Sequence, residues 1–148
     1  MGELQKPQKK QILVISKDAV RYFGVLKGTI CDGLKAQLLI HAKREQATEE
    51  LSLSEIRGTD AVIITHDEGE GAQGSKELLR VVNTLQIIKL SLIILVLGVS
   101  GKRLQKRLQE RKAIVSEEGL GKVTEEGLTR NLQQALGIED HAAEDAPR

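Results

Sequence analysis

The chain has 148 residues, of which 40% are hydrophobic, and a formal net charge of +1 at neutral pH. This length suits one domain with a substantial core. A net charge so close to zero gives no long-range field that would attract nucleic acid or a membrane surface. The sequence contains one tyrosine, one phenylalanine and no tryptophan, so base stacking on aromatic side chains is not expected. We therefore expect an aliphatic core, no membrane association and no nucleic-acid partner.

The two ends of the chain differ from its middle. Residues 1–10 ("MGELQKPQKK") and 138–148 ("IEDHAAEDAPR") are polar, lack periodicity and contain both prolines, which predicts mobile tails. Residues 11–137 show no linker and are predicted to form one domain. The N-terminus does not resemble a secretory signal. The single cysteine, Cys31, favours a reducing compartment, so we expect a cytoplasmic protein.

Five apolar runs predict β-strands. In chain order they are "QILVIS" (11–16), "QLLIHA" (37–42), "DAVIIT" (60–65), "SLIILVLG" (91–98) and the weaker "KAIV" (112–115). The first, third and fourth runs are continuously apolar, which is typical of strands buried on both faces of a parallel sheet. The longest apolar run, residues 90–99, is too short to span a bilayer.

Helical periodicity fills the intervals between these strands. Ala19, Phe23, Leu26 and Ile30 are spaced to share one face of a first helix, and a second, poorer helix is predicted within residues 44–58. The third is predicted to run over residues 76–89.

Capping residues mark where two of the later helices begin and end. Ser75 is predicted to cap the third helix, which would bury Leu78, Val82 and Leu85. A fourth helix over 101–112 offers only Leu104 and Leu108 for burial. Thr124 and Gly137 are predicted to bound the last helix.

Strands that alternate with helices define the fold class. This order implies an α/β protein with a parallel sheet covered on both faces by right-handed crossovers. We predict a flavodoxin-like three-layer sandwich with a sheet of 4–5 strands. Ligands of such sheets bind beyond the carboxyl ends of the strands. The residues predicted at those ends are Ser16, Lys17, Asp18, Thr65, His66, Asp67, Gly98, Val99 and Ser100.

Residues 11–137 resemble the receiver domain of bacterial response regulators in strand order and element length. In that family an acidic pair after the first strand binds magnesium, and an aspartate at the end of the third strand accepts the phosphoryl group. In "ILVISKD", Ser16 and Lys17 occupy the acidic places, and Asp18 is the only acid left there. In "DAVIIT", Thr65 occupies the phosphoacceptor place.

The remaining family positions are also altered. Asp67 follows Thr65 two residues late, on a glycine-rich loop, and we expect it not to reach Asp18. Leu97 takes the place of the family's hydroxyl residue unless Ser100 substitutes for it. Lys122, in "GKVTEEGL", matches the family's lysine, although the proline that usually follows is missing. The resemblance therefore implies a degenerate receiver (a pseudo-receiver) that works without phosphorylation, has no catalytic residue, metal or cofactor, and carries Lys17 facing Thr65.

Two weaker resemblances keep a different class of function open. "ELSLSEIRGTDAVIITHD" is similar to a stretch of fructose-type phosphotransferase IIB domains, and "THDEGEG" falls where Toprim domains carry an Asp-x-Asp pattern. The place of the IIB phosphocysteine holds Ser16 and Lys17, and Ile15 stands where the Toprim glutamate belongs. The alternative is an enzyme, or a nucleotide- or metal-binding domain, that acts at the carboxyl ends of the strands.

Two local patterns bear on that alternative. Asp67, Glu68 and Glu70 could hold a divalent cation, but a solvated loop explains them as well. "GVSGKR" joins a strand to a helix, yet it has Val96 where a phosphate loop needs glycine and Arg103 where it needs serine or threonine.

The fourth predicted helix is the most highly charged segment. Within residues 102–112 six cations accompany one anion, Glu110, and the arginines recur every four residues on one side. In the receiver alignment this helix belongs to the surface that those domains use for partners. We therefore expect a protein partner, with an acidic surface, to bind through Lys102, Arg103, Lys106, Arg107 and Arg111. The sequence leaves a homodimer open.

Overall fold

The computed structural model of the protein describes residues 10–41 and 53–137. The predicted tails, apart from Lys10, lie outside the described residues. So does most of the second predicted helix, of which only the end can be compared with the structure.

All five predicted strands are present. They are β1 (Gln11–Ile15), β2 (Gln37–His41), β3 (Ala61–Thr65), β4 (Ile93–Leu97) and β5 (Ile114–Ser116). β5 begins two residues later than predicted because Lys112 has a φ of 64°. This left-handed residue turns the chain out of the preceding helix before the strand can start.

Among the described residues, five α-helices connect and follow these strands. They are α1 (Phe23–Leu26), α2 (Leu53–Arg57), α3 (Gly71–Ile88), α4 (Lys102–Glu110) and α5 (Glu125–Leu136). α1 continues directly into a π-helix, Lys27–Gly33, and a 3₁₀ turn, Glu68–Glu70, leads into α3. No helix within the described ranges has the length and apolar character needed to cross a membrane.

The strands form one parallel sheet in the order β2-β1-β3-β4-β5. Helices cover both faces, so the predicted flavodoxin-like three-layer sandwich is confirmed. The order reverses direction after β1, which places the carboxyl ends of β1, β3 and β4 side by side at one edge of the molecule.

Each face of the sheet has its own aliphatic core, since successive strand residues point to opposite faces. Ile64 of β3 packs with Leu85 of α3 and Leu108 of α4 on one face. Its neighbour Ile63 packs on the other face with Leu26 of α1 and Leu132 of α5. The continuous apolar runs in the sequence follow from this two-sided burial.

The first helix differs from its prediction. Ala19, Leu26 and Ile30 are buried as expected, but Phe23 is 46% exposed. Residues 17–22 form turns rather than helix, so Ala19 and Phe23 do not lie one above the other on a helical face. From Lys27 the backbone takes the wider π spacing, in which the Leu34 N–H donates to the Thr29 carbonyl oxygen at 3.0 Å.

The predicted capping residues have different outcomes. Thr124 caps α5 by accepting a hydrogen bond from the Gly127 N–H at 3.0 Å, and Gly137 ends that helix with a φ of 70°. The prediction for Ser75 is wrong, because α3 begins one turn earlier at Gly71. Ser75 instead donates its hydroxyl to the Gly71 carbonyl oxygen at 3.4 Å, inside the helix.

Candidate functional site

A pair of hydroxyl groups lies where the carboxyl ends of β1 and β3 meet. The two strands pair with Ile15 beside Ile64, so Ser16, the residue after β1, comes next to Thr65. Thr65 Oγ1 donates a hydrogen bond to Ser16 Oγ at 2.7 Å. Ser16 is buried, and its hydroxyl also accepts from the Asp18 N–H at 3.0 Å. In the alignment with receivers, a hydroxyl–hydroxyl contact thus replaces two carboxylates.

Lys17 follows Ser16 in the chain, and its side chain extends to the loop that follows β3. Its ammonium Nζ lies 3.4 Å from Asp67 Oδ2. Adjacent residues of an extended chain point in opposite directions, so Ser16 rather than Lys17 contacts Thr65. The expectation that Lys17 faces Thr65 is therefore wrong. Both partners of the ion pair are more than half exposed, at 60% and 55%, so solvent screens the attraction.

The Asp67 carboxylate is held in place from two sides. Its Oδ1 accepts a hydrogen bond from the Gly69 N–H at 2.9 Å. This backbone hydrogen bond, together with the Lys17 ammonium, lowers the pKa of Asp67 below its usual value of 3.8, because both interactions favour the charged form. Asp67 is therefore engaged with Lys17 and with its own loop.

The other predicted positions lie around this pair in different ways. Asp18 is half-buried in the turn after β1 and accepts the Tyr22 N–H with its carbonyl oxygen at 3.1 Å. Ser100 is exposed in the loop between β4 and α4. Lys122 is exposed in the turn before α5, where its N–H donates to the Gly119 carbonyl oxygen at 3.0 Å. The partners described above for Thr65 and Asp67 are Ser16, Lys17 and Gly69.

Gly98, which the sequence analysis placed at a strand end without a role, is a structural requirement of the site. It has a φ of +86°, and a Cβ atom there would lie 2.5 Å from the His66 carbonyl oxygen. The His66 N–H donates to the Leu97 carbonyl oxygen at 2.8 Å, which extends the β3–β4 pairing past the strands. His66 itself is buried. A glycine at the end of a long apolar run was the available signal, since such a position often marks a close backbone approach.

Within the part of the chain that the structure describes, no three His, Cys, Asp or Glu residues lie close enough together to hold a metal ion. Cys31 is half-buried in the π-helix, on the face of the sheet that α5 covers. It does not belong to the group of residues at the strand ends.

α4 carries the predicted basic surface. Leu104 and Leu108 are buried against the sheet, whereas Lys102, Arg103, Lys106 and Arg107 are exposed. Arg111 differs from these four. Its Nε donates to Asn83 Oδ1 of α3 at 2.7 Å, and one of its terminal nitrogens donates to the Arg107 carbonyl oxygen at 2.9 Å. Arg111 thus links the two helices, and the exposed positive charge lies in the first two turns of α4.

Comparison with known proteins agrees with this geometry at the level of the fold. No family model and no curated protein matches the sequence. Solved structures do match. A candidate pilus assembly protein (CpaE) from Burkholderia thailandensis superposes with a TM-score of 0.67 at 15% identity, and the match covers 86% of this chain and 98% of that one.

Two response-regulator structures match over a similar length. A CheY-like receiver domain from Methanospirillum hungatei has a TM-score of 0.66 at 10% identity, covering 88% of this chain and 95% of its own. A receiver protein from Burkholderia phymatum has a TM-score of 0.62 at 12% identity, with coverages of 88% and 98%. The fold is therefore a doubly wound α/β sandwich. More narrowly, it is the fold of response-regulator receiver domains, as the resemblance in the sequence implied.

Proposed function

We propose that this chain is a receiver-like signalling or scaffold domain that works without phosphorylation and binds a protein partner through α4. The observation that carries the proposal is the contact between Thr65 and Ser16, with Lys17 placed on Asp67 beside it. In receivers these strand ends provide carboxylates. Here they provide two hydroxyl groups and an ion pair.

The chemistry of these side chains opposes phosphoryl transfer. An acyl phosphate forms on a carboxylate, and the hydroxyl of Thr65 cannot form one. Magnesium requires several oxygen ligands in nearly octahedral order, and the ammonium of Lys17 places a positive charge next to the carboxylate of Asp67. Asp67 already accepts hydrogen bonds from Lys17 and Gly69. These features support a domain whose role is binding.

The distribution of charge supports α4 as the binding surface. Four exposed cations lie within its first two turns, while the molecule as a whole carries a net charge of only +1. Because the protein as a whole is nearly neutral, its net charge does not attract a partner over a long range. A local positive surface instead favours a partner with acidic side chains at the contact.

The phosphorylation-independent part of the proposal is tested with beryllofluoride and magnesium, which together mimic a phosphorylated receiver. We expect the backbone amide resonances of residues 16–18 and 65–71 to stay where magnesium alone leaves them. Shifts at Asp67 that require both reagents, and that Asp67→Asn abolishes, would overturn the proposal and make Asp67 a phosphoacceptor.

A further inference from the structure

A groove of about 380 Å³ separates the first two turns of α3 from the first two turns of α4. The residues that define it are Ala72, Lys76, Leu79, Arg103, Leu104 and Arg107. Both helices begin at the carboxyl ends of the strands, so the groove opens near the site described above. The alignment with receivers did not predict it, because it depends on how far apart two helices lie.

The floor of the groove is apolar and its rim is cationic. Leu79 and Leu104 are 9% and 8% exposed, so both side chains belong to the core. Only a small part of each is accessible from the groove. The side chains of Lys76, Arg103 and Arg107 are exposed around them. An apolar floor with charged groups at its edge is the usual arrangement of a surface that binds an amphipathic segment.

The charged side chains among the described residues that line the groove are all cationic. None of the described residues that line the groove is Asp or Glu. Glu77 follows Lys76 and is therefore rotated by about 100° around α3. The partial positive charge at the N-termini of α3 and α4 has the same sign as the rim. The electrostatic preference of the groove is therefore for an anionic occupant.

The far end of the groove is fixed by contacts between the two helices. Arg111 Nε donates to Asn83 Oδ1 at 2.7 Å, and the Gln86 side-chain amide donates to the Arg111 carbonyl oxygen. These bonds hold the later turns of α3 against the end of α4. The separation of the first turns is therefore set by the fold, and the groove exists before any ligand binds.

We propose that this groove binds an acidic amphipathic segment of a protein partner. An apolar side chain of the segment packs on Leu79 and Leu104, and its carboxylates pair with Lys76, Arg103 and Arg107. The inference rests on the proposed function. It narrows the proposed binding surface from the whole of α4 to the side of α4 that faces α3, together with the first turns of α3. A nucleic acid fits less well, because the floor offers no aromatic side chain on which bases could stack.

The test uses a fluorescein-labelled synthetic peptide of about 15 residues composed of Leu, Ala and Glu, with Leu at every third or fourth position. Its binding to the full chain is followed by fluorescence anisotropy. We expect Arg103→Glu combined with Arg107→Glu to weaken binding at least about tenfold. We also expect Ala72→Trp, which places a large ring in the groove without removing core atoms, to weaken it to a similar degree.

The matched control is Lys102→Glu combined with Lys106→Glu. These two lysines are on the same helix, have the same spacing and undergo the same change of charge, but they do not line the groove. We expect the control to change the affinity by less than about threefold. Circular dichroism of each variant checks that the fold is retained.

The outcomes separate the two levels of the proposal. If the arginine and lysine variants lose affinity for the peptide equally, and Ala72→Trp binds it normally, the groove is not the binding site. The basic helix α4 would then remain as the binding surface. Undiminished binding by every variant would overturn both. A further outcome is that a single-stranded oligonucleotide displaces the peptide from the full chain and fails to bind the Ala72→Trp variant. That result would overturn the proposal of a protein partner and indicate that the groove binds nucleic acid.

Discussion

Asp67 illustrates how single residues give the strand ends their character. Its carboxylate accepts one hydrogen bond from its own loop and lies 3.4 Å from the Lys17 ammonium. Both interactions stabilise the charged form. The folded-state pKa is therefore depressed, so this contribution to stability is present above the ordinary pKa of 3.8. It is lost as the pH falls through the folded-state value.

The substitution Lys17→Met separates the two causes. We expect the pKa of Asp67 to rise toward its ordinary value without reaching it, because the Gly69 N–H makes the largest contribution to the shift and remains in place. Titration of the Asp67 carboxyl carbon by NMR measures this. Lys122→Met is the control and should leave the titration unchanged. Movement of the Asp67 pKa in that variant would show that Lys122 acts at the strand ends, as the lysine of a receiver would.

Residue-level contacts across the sheet could be predicted only in part. The alignment placed Ser16, Lys17, Thr65 and Asp67 at one edge because they follow neighbouring strands. It could not tell which of Ser16 and Lys17 meets Thr65, since that depends on where β1 ends and which face each side chain takes. The Lys17–Asp67 pair joins residues 50 positions apart, and spacing in the sequence says nothing about such a distance.

At the scale of secondary structure, continuous apolar runs were the most informative pattern. The first, third and fourth runs are continuous, as strands buried on both faces require, and all five predicted strands are present. Helix starts were harder to predict. Thr124 was identified as a cap because an oxygen-bearing side chain precedes the apolar stripe of α5 directly. Ser75 shows the same pattern, but α3 begins at Gly71, whose φ of 68° follows a 3₁₀ turn that composition alone does not reveal.

The two capping residues make a matched pair for measurement. We expect Thr124→Ala to lower the free energy of unfolding by about 1 kcal/mol, because the Gly127 N–H loses its acceptor. Ser75→Ala should change it by less than about 0.5 kcal/mol, since alanine suits a helix interior. Urea denaturation followed by circular dichroism gives both values. A loss for Ser75→Ala as large as that for Thr124→Ala would contradict the position of the α3 N-terminus.

At the scale of the whole molecule, the described residues form one sheet between two aliphatic cores. Ile63 and Ile64 are consecutive residues that lie in different cores. Both are fully buried, and they are linked through the central strand β3. Because that strand belongs to both cores, we expect them to unfold together.

Ile63→Val and Ile64→Val test this cooperativity. Each should lower the free energy of unfolding by about 0.5–1.5 kcal/mol through the loss of one buried methylene. Each should also shift one common transition in urea, whether monitored by circular dichroism or by amide resonances of α3 and α5. Separate transitions for α3 and α5 would show that the two layers are independent units.

The contact between Ser16 and Thr65 has a consequence for control of the protein in the cell. A receiver with a phosphoacceptor changes between two covalent forms while its copy number stays constant. Under the proposed function, a domain that has hydroxyl groups in place of the phosphoacceptor carboxylate is not switched by an acyl phosphate. The fraction of partner bound would then follow from how many copies of each chain are made and degraded, so regulation would act on gene expression and turnover.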